Sequence, residues 1–293
     1  MADWDGRGLP PGARQRLTRF GPGSARTSLL PVAGAVGVES VGLQPVGEVM
    51  GCIVEHIGWS GWGGCGYYGY GGVGGGFGGF GGGTVTSSTS RFGAFAPYVD
   101  ALYRGYDTAI RRMLEEAGAL GADGVVDVRL TVEHLGDTRE FVALGTAVRA
   151  AARTRPRAIF ATRLGGADVA RLMVAGWMPF RITYGLSVAV RHDDYRTRLQ
   201  QTWRAGNTEV TGYTELVTHV RADARRQLES RLAAVGADGC VGVEMGLRIW
   251  EIEPSENHRD HVAESSVFGS AVARFTGKRA GPAARSVLPL RGF

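Results

Sequence analysis

The chain has 293 residues, 44% apolar and 21% charged, the balance of a globular protein with room for two cores. Its net charge of +5 rests almost wholly on arginine, Lys278 being the one lysine, and no segment interleaves those arginines with aromatics, so nucleic-acid binding is not expected. Three scattered cysteines, Cys52, Cys65 and Cys240, argue against a disulfide framework. No apolar run reaches the roughly 18 residues of a membrane span. The polar N-terminus lacks the core of a signal peptide, and a cytoplasmic setting is the expectation.

In chain order, residues 1–27 are rich in Gly, Pro, Arg and Ser without periodicity and read as a disordered tail. A strand is expected from about Val46 to His56. Residues 58–83 alternate glycine with Trp, Tyr and Phe, too glycine-rich to order cheaply and without the spacing of a phosphate loop, so they read as a flexible insertion or a self-associating arm. From Tyr98, apolar residues recur at three and four positions as far as Leu120, which predicts a long helix stopped at Gly121. Val126, Val128, Leu130 and Val132 then alternate with polar residues as a half-buried strand, and a turn at Gly136–Asp137 returns the chain as a hairpin.

After an Arg/Pro linker at 152–157 the pattern restarts. A short helical passage leads to a strand at Ile182–Val190, and a polar connection follows over Arg191–Val210. A second long helix begins near Tyr213 and stops at Gly236. The next strand, with Val241, Val243, Met245, Leu247 and Ile249, is expected to point its apolar row inward as its counterpart does. A longer hairpin ends near Phe275, and a basic tail covers 277–293. Tyr98 and Tyr213, Gly121 and Gly236, and Asp123 and Asp238 are all 115 apart, while Pro45 and Pro179, and Gly51 and Gly185, are 134 apart. Constant phase within elements and added residues only between them are the marks of a tandem repeat.

Each half resembles the YbjQ-type family, which carries a heavy-metal-binding label. The resemblance rests on the tyrosine at the helix start, the Leu/Val-Gly-Ala-Asp turn, the Val-rich strand after it and the Gly-Thr/Ser-Ala-Val ending (Gly145–Val148, Gly269–Val272). It covers 28–151, with the insertion inside it, and 158–276. It implies an α+β protein of two tandem β-α-β-β, dodecin-like domains, each a three-stranded antiparallel sheet on one long helix. It also implies five-membered rings, and here five chains forming two stacked rings, because five units cannot be divided into alternating pairs. The family supplies no catalytic motif.

Candidate metal ligands are few. His258 and His261 lie three apart near an acidic hairpin tip and would converge on a divalent ion such as zinc if the tip curled, although closed zinc sites need four ligands. Cys52 and His56 share a strand face but lie about 13 Å apart, too far for one ion. Cys240 is expected on the face opposite Val241 and Val243, with Glu244 and Arg248, and reads equally as a packed thiol. Asp123 and Asp238 follow a helix-stopping glycine and read as turn formers. His192-Asp-Asp194 reads as a turn rather than an acid/base site. Without a nucleophile motif or nucleotide fingerprint, the chain is expected not to be an enzyme. It is expected to be a ring-forming protein that binds a metal or small ligand between subunits, or a scaffold that recruits partners through its arm and tails.

Overall fold

The computed structural model describes residues 4, 8–18, 27–57, 86–87, 96–136, 138–152, 155–193, 195–255 and 258–275. The elements run α1 (Pro11–Thr18), α2 (Val32–Ser40), β1 (Leu43–His56), β2 (Thr86–Ser87), α3 (Ala96–Ala119), β3 (Gly124–Leu135), β4 (Thr138–Ala150), β5 (Phe160–Ala161), α4 (Gly166–Val174), β6 (Trp177–His192), α5 (Tyr195–Gln200), α6 (Thr211–Ala234), β7 (Gly239–Ser255) and β8 (His258–Arg274). They form an α+β fold with two sheets, ordered β1-β4-β3-β5 and β2-β6-β8-β7. The glycine-rich stretch and the basic C-terminal tail lie outside the described residues.

The two sheets repeat one construction. β1 and β3 flank β4 antiparallel in the first, as β6 and β7 flank β8 in the second. Both long helices end at glycines with left-handed φ, Gly121 at 66° and Gly236 at 64°, where a side chain would be strained. The following aspartates close the turn. Asp123 Oδ2 accepts from the Ala150 amide at 2.8 Å, and Asp238 Oδ2 accepts from the Arg274 amide at 2.8 Å. Each helix is set down on its sheet at a glycine. A Cβ on Gly51 would meet Met113 N at 2.5 Å and Ala109 O more closely still; one on Gly185 would meet Leu228 N at 2.5 Å and Ala224 O likewise. Only a strand residue without a side chain permits that approach.

What the repeat does not convey is how the halves meet. α3 lies against β1 and β4 on one side and against β6 on the other, so it is buried between the sheets. Tyr103 stacks on Tyr184 at 5.7 Å, and Tyr106 sits 5.1 Å from both Phe141 of β4 and Phe268 of β8. Such aromatic pairs join the two halves into one core. α6 covers β6 and β8 and only the start of β7, and its far side is solvent-exposed.

Three local expectations are corrected. Within the N-terminal segment read as disordered, Pro11–Thr18 is helical, and Arg16 pairs with the fully buried Glu116 of α3 at 3.0 Å. The polar connection after β6 carries α5 and a short 3-10 turn at Trp203–Ala205. Of the β7 row expected to point inward, Val241 and Met245 are half-buried, Met245 against the Ala224–Leu228 face of α6. Val243 is exposed by 46%, Leu247 by 36% and Ile249 by 47%, because α6 covers little of that strand.

Candidate functional site

Cys52 and His56 occupy β1 opposite Val142 and Thr138, with Cys52 half-buried and His56 exposed. Cys240 opens β7 and packs its Sγ over Gly269, as Val243 does with a side-chain methyl. The two residues therefore share a side, against the simple alternation. A bulge between Val241 and Glu244, with Gly242 at φ 64°, inserts the residue that reverses the phase. Burial pushes the Cys240 thiol up to about 11, so it stays protonated at neutral pH.

His258 and His261 both belong to β8, three positions apart. The ring of His261 is committed elsewhere. Its Nδ1 lies 3.1 Å from Asp193 Oδ1, and its Nε2 lies 2.9 Å from Glu251 Oε1 and 2.8 Å from the Tyr213 hydroxyl. Tyr213 in turn donates to Asp193 Oδ2 at 3.2 Å, and Gln201 donates to the Tyr213 oxygen at 2.6 Å. The two carboxylates sit on opposite nitrogens of the imidazole, so they cannot converge on one ion with it. Among the described residues, no three of His, Cys, Asp and Glu gather to hold a metal.

The residue equivalent to Tyr213 anchors a second polar cluster. Tyr98, at the start of α3, donates to Glu264 Oε2 of β8 at 2.5 Å and accepts from Arg139 of β4, which also pairs with Glu264 at 3.2 Å. Both tyrosine hydroxyls titrate well above their ordinary range, first because burial opposes the phenolate and then because a carboxylate stands beside each, Glu264 or Asp193. The sequence marked both tyrosines but not Arg139 or Glu264, since nothing local signals a contact between residues 125 apart. A larger hollow of about 740 Å³ opens between α3 and the start of β6, walled mainly by apolar side chains such as Ile110, Leu114, Ile159 and Phe180.

The sheet edges are the other notable feature. Along β1, the Met50 amide donates to Glu116, the Met50 carbonyl accepts from Arg16 and the Cys52 carbonyl accepts from Arg112. β3 is capped by the segment around β5, with Asp127 N donating to Leu164 O at 2.9 Å and Val128 N to Thr162 O at 3.0 Å. β6 pairs with β2, and its Leu186 amide donates to the Tyr103 hydroxyl. Among the described residues, no strand adjoins the outer edge of the 17-residue β7.

The fold and its polar clusters thus define an α+β protein of two helix-on-sheet units in which, among the described residues, the outer edge of β7 is open. Residues 83–151 match the family described as "Putative heavy-metal-binding", the YbjQ type. It is 29% identical over 277 residues to a protein of Mycobacterium tuberculosis named an encapsulin nanocompartment protein, covering 91% of this chain and 92% of that one. UPF0145 proteins of Halorubrum lacusprofundi and Vibrio campbellii are 47% and 40% identical over 58 residues, 20% of this chain. The match spans 56% of the length of each UPF0145 relative. No solved structure matches the chain. No described helix is long and apolar enough to cross a membrane.

Proposed function

We propose that this is a non-enzymatic assembly protein, built as a tandem pair of YbjQ-like domains, that associates with further copies of itself through β7. The observation that carries the reading is the β7 edge, open among the described residues, beside the exposed Val243, Leu247 and Ile249. An unpaired strand of that length presents a row of free amides and carbonyls, and proteins normally cap or occupy such an edge. The other sheet edges are capped by side chains or short strands, at least in part. The name of the mycobacterial relative, a nanocompartment protein, supports an assembled state.

In this reading five chains close two stacked rings, first halves in one layer and second halves in the other, as the family resemblance implies. The family's heavy-metal label is met in this reading by a site built between chains. Cys52 and His56 are the candidates best placed for it, since both stand on β1 away from the α3 interface.

Hydrogen exchange tests the β7 contact. In assembled protein, alternate β7 amides that do not bond to β8 should exchange slowly and should speed up on dilution. Fast exchange of those amides at every concentration overturns the reading. Metal analysis of tag-free protein tests the heavy-metal part separately. Bound metal lost on Cys52→Ala with His56→Ala supports the inter-chain site, and metal-free protein removes it.

A further inference from the structure

Between the halves, the β3–β4 hairpin, the start of α3 and β7 enclose a small pocket of about 190 Å³. Its walls are Ile57, Tyr98, His134, Arg139, Arg248 and Trp250, with Gly136 at the hairpin turn. Two guanidiniums and an imidazole therefore face one space. Glu264 is the carboxylate beside them, and although it stands across the strand pair from Arg248, it is turned to Arg139 and Tyr98. Arg248 is left with the His134 ring, 2.8 Å from its Nε2, and the face of Trp250, 5.0 Å away; among the described residues it pairs with no carboxylate.

A cationic donor held against an imidazole is an incomplete arrangement. Either His134 stays neutral and accepts from Arg248, or an anion enters and both groups donate to it. We propose that the pocket binds a small oxyanion of the phosphate or sulfate class, held by Arg248 and His134 with Arg139 supplying field from the buried side. A guanidinium fork matches such an anion, and the Trp250 face keeps that fork flat. The volume suits a single tetrahedral oxyanion rather than a nucleotide. The site goes beyond the assembly reading and does not depend on it, since its residues all come from one chain.

The charge balance sets a pH dependence. His134 is flanked by Arg139 and Arg248, with Glu133 and Glu264 opposing them, and burial, then the two arginines, hold its imidazole below its ordinary range. An anion in the pocket favours the imidazolium, so it binds more tightly as pH falls and His134 takes up its proton.

Calorimetric titration of the full chain with sodium sulfate, at constant ionic strength, tests the site, because sulfate keeps its charge through the neutral range. One saturable site per chain is expected, tightening as pH is lowered. Arg248→Gln should weaken it on the order of ten- to a hundredfold, the range for losing charge-assisted hydrogen bonds. His134→Gln should bind sulfate with the pH dependence gone. Arg248 is exposed, so circular dichroism of its variant should match the parent. Inorganic phosphate and adenosine monophosphate, titrated in parallel, separate a free ion from the end of a larger molecule: phosphate alone supports the free ion, and both binding supports a phosphomonoester tip. Absence of saturable sulfate and phosphate binding, or equal affinity in Arg248→Gln, overturns the proposal.

Discussion

α3 and α6 stand at equivalent places in the two halves, yet they are different kinds of helix. Ala109 and Met113 pack on Gly51 just as Ala224 and Leu228 pack on Gly185, so the side facing each helix's own sheet is shared. The far sides diverge. Tyr103, Tyr106, Ile110 and Leu114 of α3 are packed into the joint core, and the residues 115 later are Thr218, Arg221, Arg225 and Glu229, all exposed. A helix apolar on two sides is an interior element, and one with a single apolar stripe is a surface element. The first half thus brings a sandwiched helix, and the second closes the stack with a wet one. The same asymmetry reaches the sheets, since β3 gains a cap from the segment that links the halves while β7 has no counterpart to it among the described residues.

Exchanging residues between the helices breaks that comparison most severely. Tyr106→Arg places in α3 the residue that α6 carries, and a charge without a partner in the joint core should cost about 3–5 kcal/mol in urea unfolding. Arg221→Tyr in α6 should change stability by no more than about 0.5 kcal/mol, as for other surface substitutions. Similar losses from the two would show that α6 also has a buried far side.

The shared side predicts equality instead. Gly51→Ala and Gly185→Ala each force a methyl against helix backbone, and each should cost about 1–3 kcal/mol of unfolding free energy. A large difference between them would mean that the two helix-on-sheet seats are not equivalent.

The tyrosine clusters sharpen the comparison through pH. Tyr98 and Tyr213 have folded-state pKa values raised above the 10.0 of a free phenol. For a raised pKa the folded state holds the proton more tightly, so the stability is complete below about pH 10 and falls as pH rises beyond it. Tyr98→Phe with Tyr213→Phe should flatten the alkaline limb of the stability curve, with a loss at neutral pH of about 1 kcal/mol for each hydrogen-bonded hydroxyl removed. An unchanged alkaline limb would exclude these phenols as its cause. The smallest effect is on reactivity. Cys240, with its thiol near 11, should alkylate slowly at neutral pH and speed up steadily towards that value.

Much of the fold could be read from the sequence because its signals are local. The two long helices, their glycine stops, the Asp123 and Asp238 turns and the hairpins all announce themselves through period and spacing. The β7 face could not be read, because apolar alternation says that a row seeks cover and not whether α6 is wide enough to provide it. The reversed side of Cys240 was hidden for a related reason, since one bulge at Gly242 shifts the phase of everything before it. The polar clusters were visible only in part. Tyr98 and Tyr213 stood out, while Arg139, Arg248, Glu264 and Asp193 gain meaning from contacts between distant segments.

Mass photometry of the intact chain beside a Leu247→Lys, Ile249→Lys variant tests the assembly claim most directly. The account predicts a parent particle at five times the 31.1 kDa chain mass and a variant reduced to single chains, because two charges on the exposed row oppose edge pairing. A parent that is already monomeric at micromolar concentration, or a variant that assembles unchanged, would contradict it.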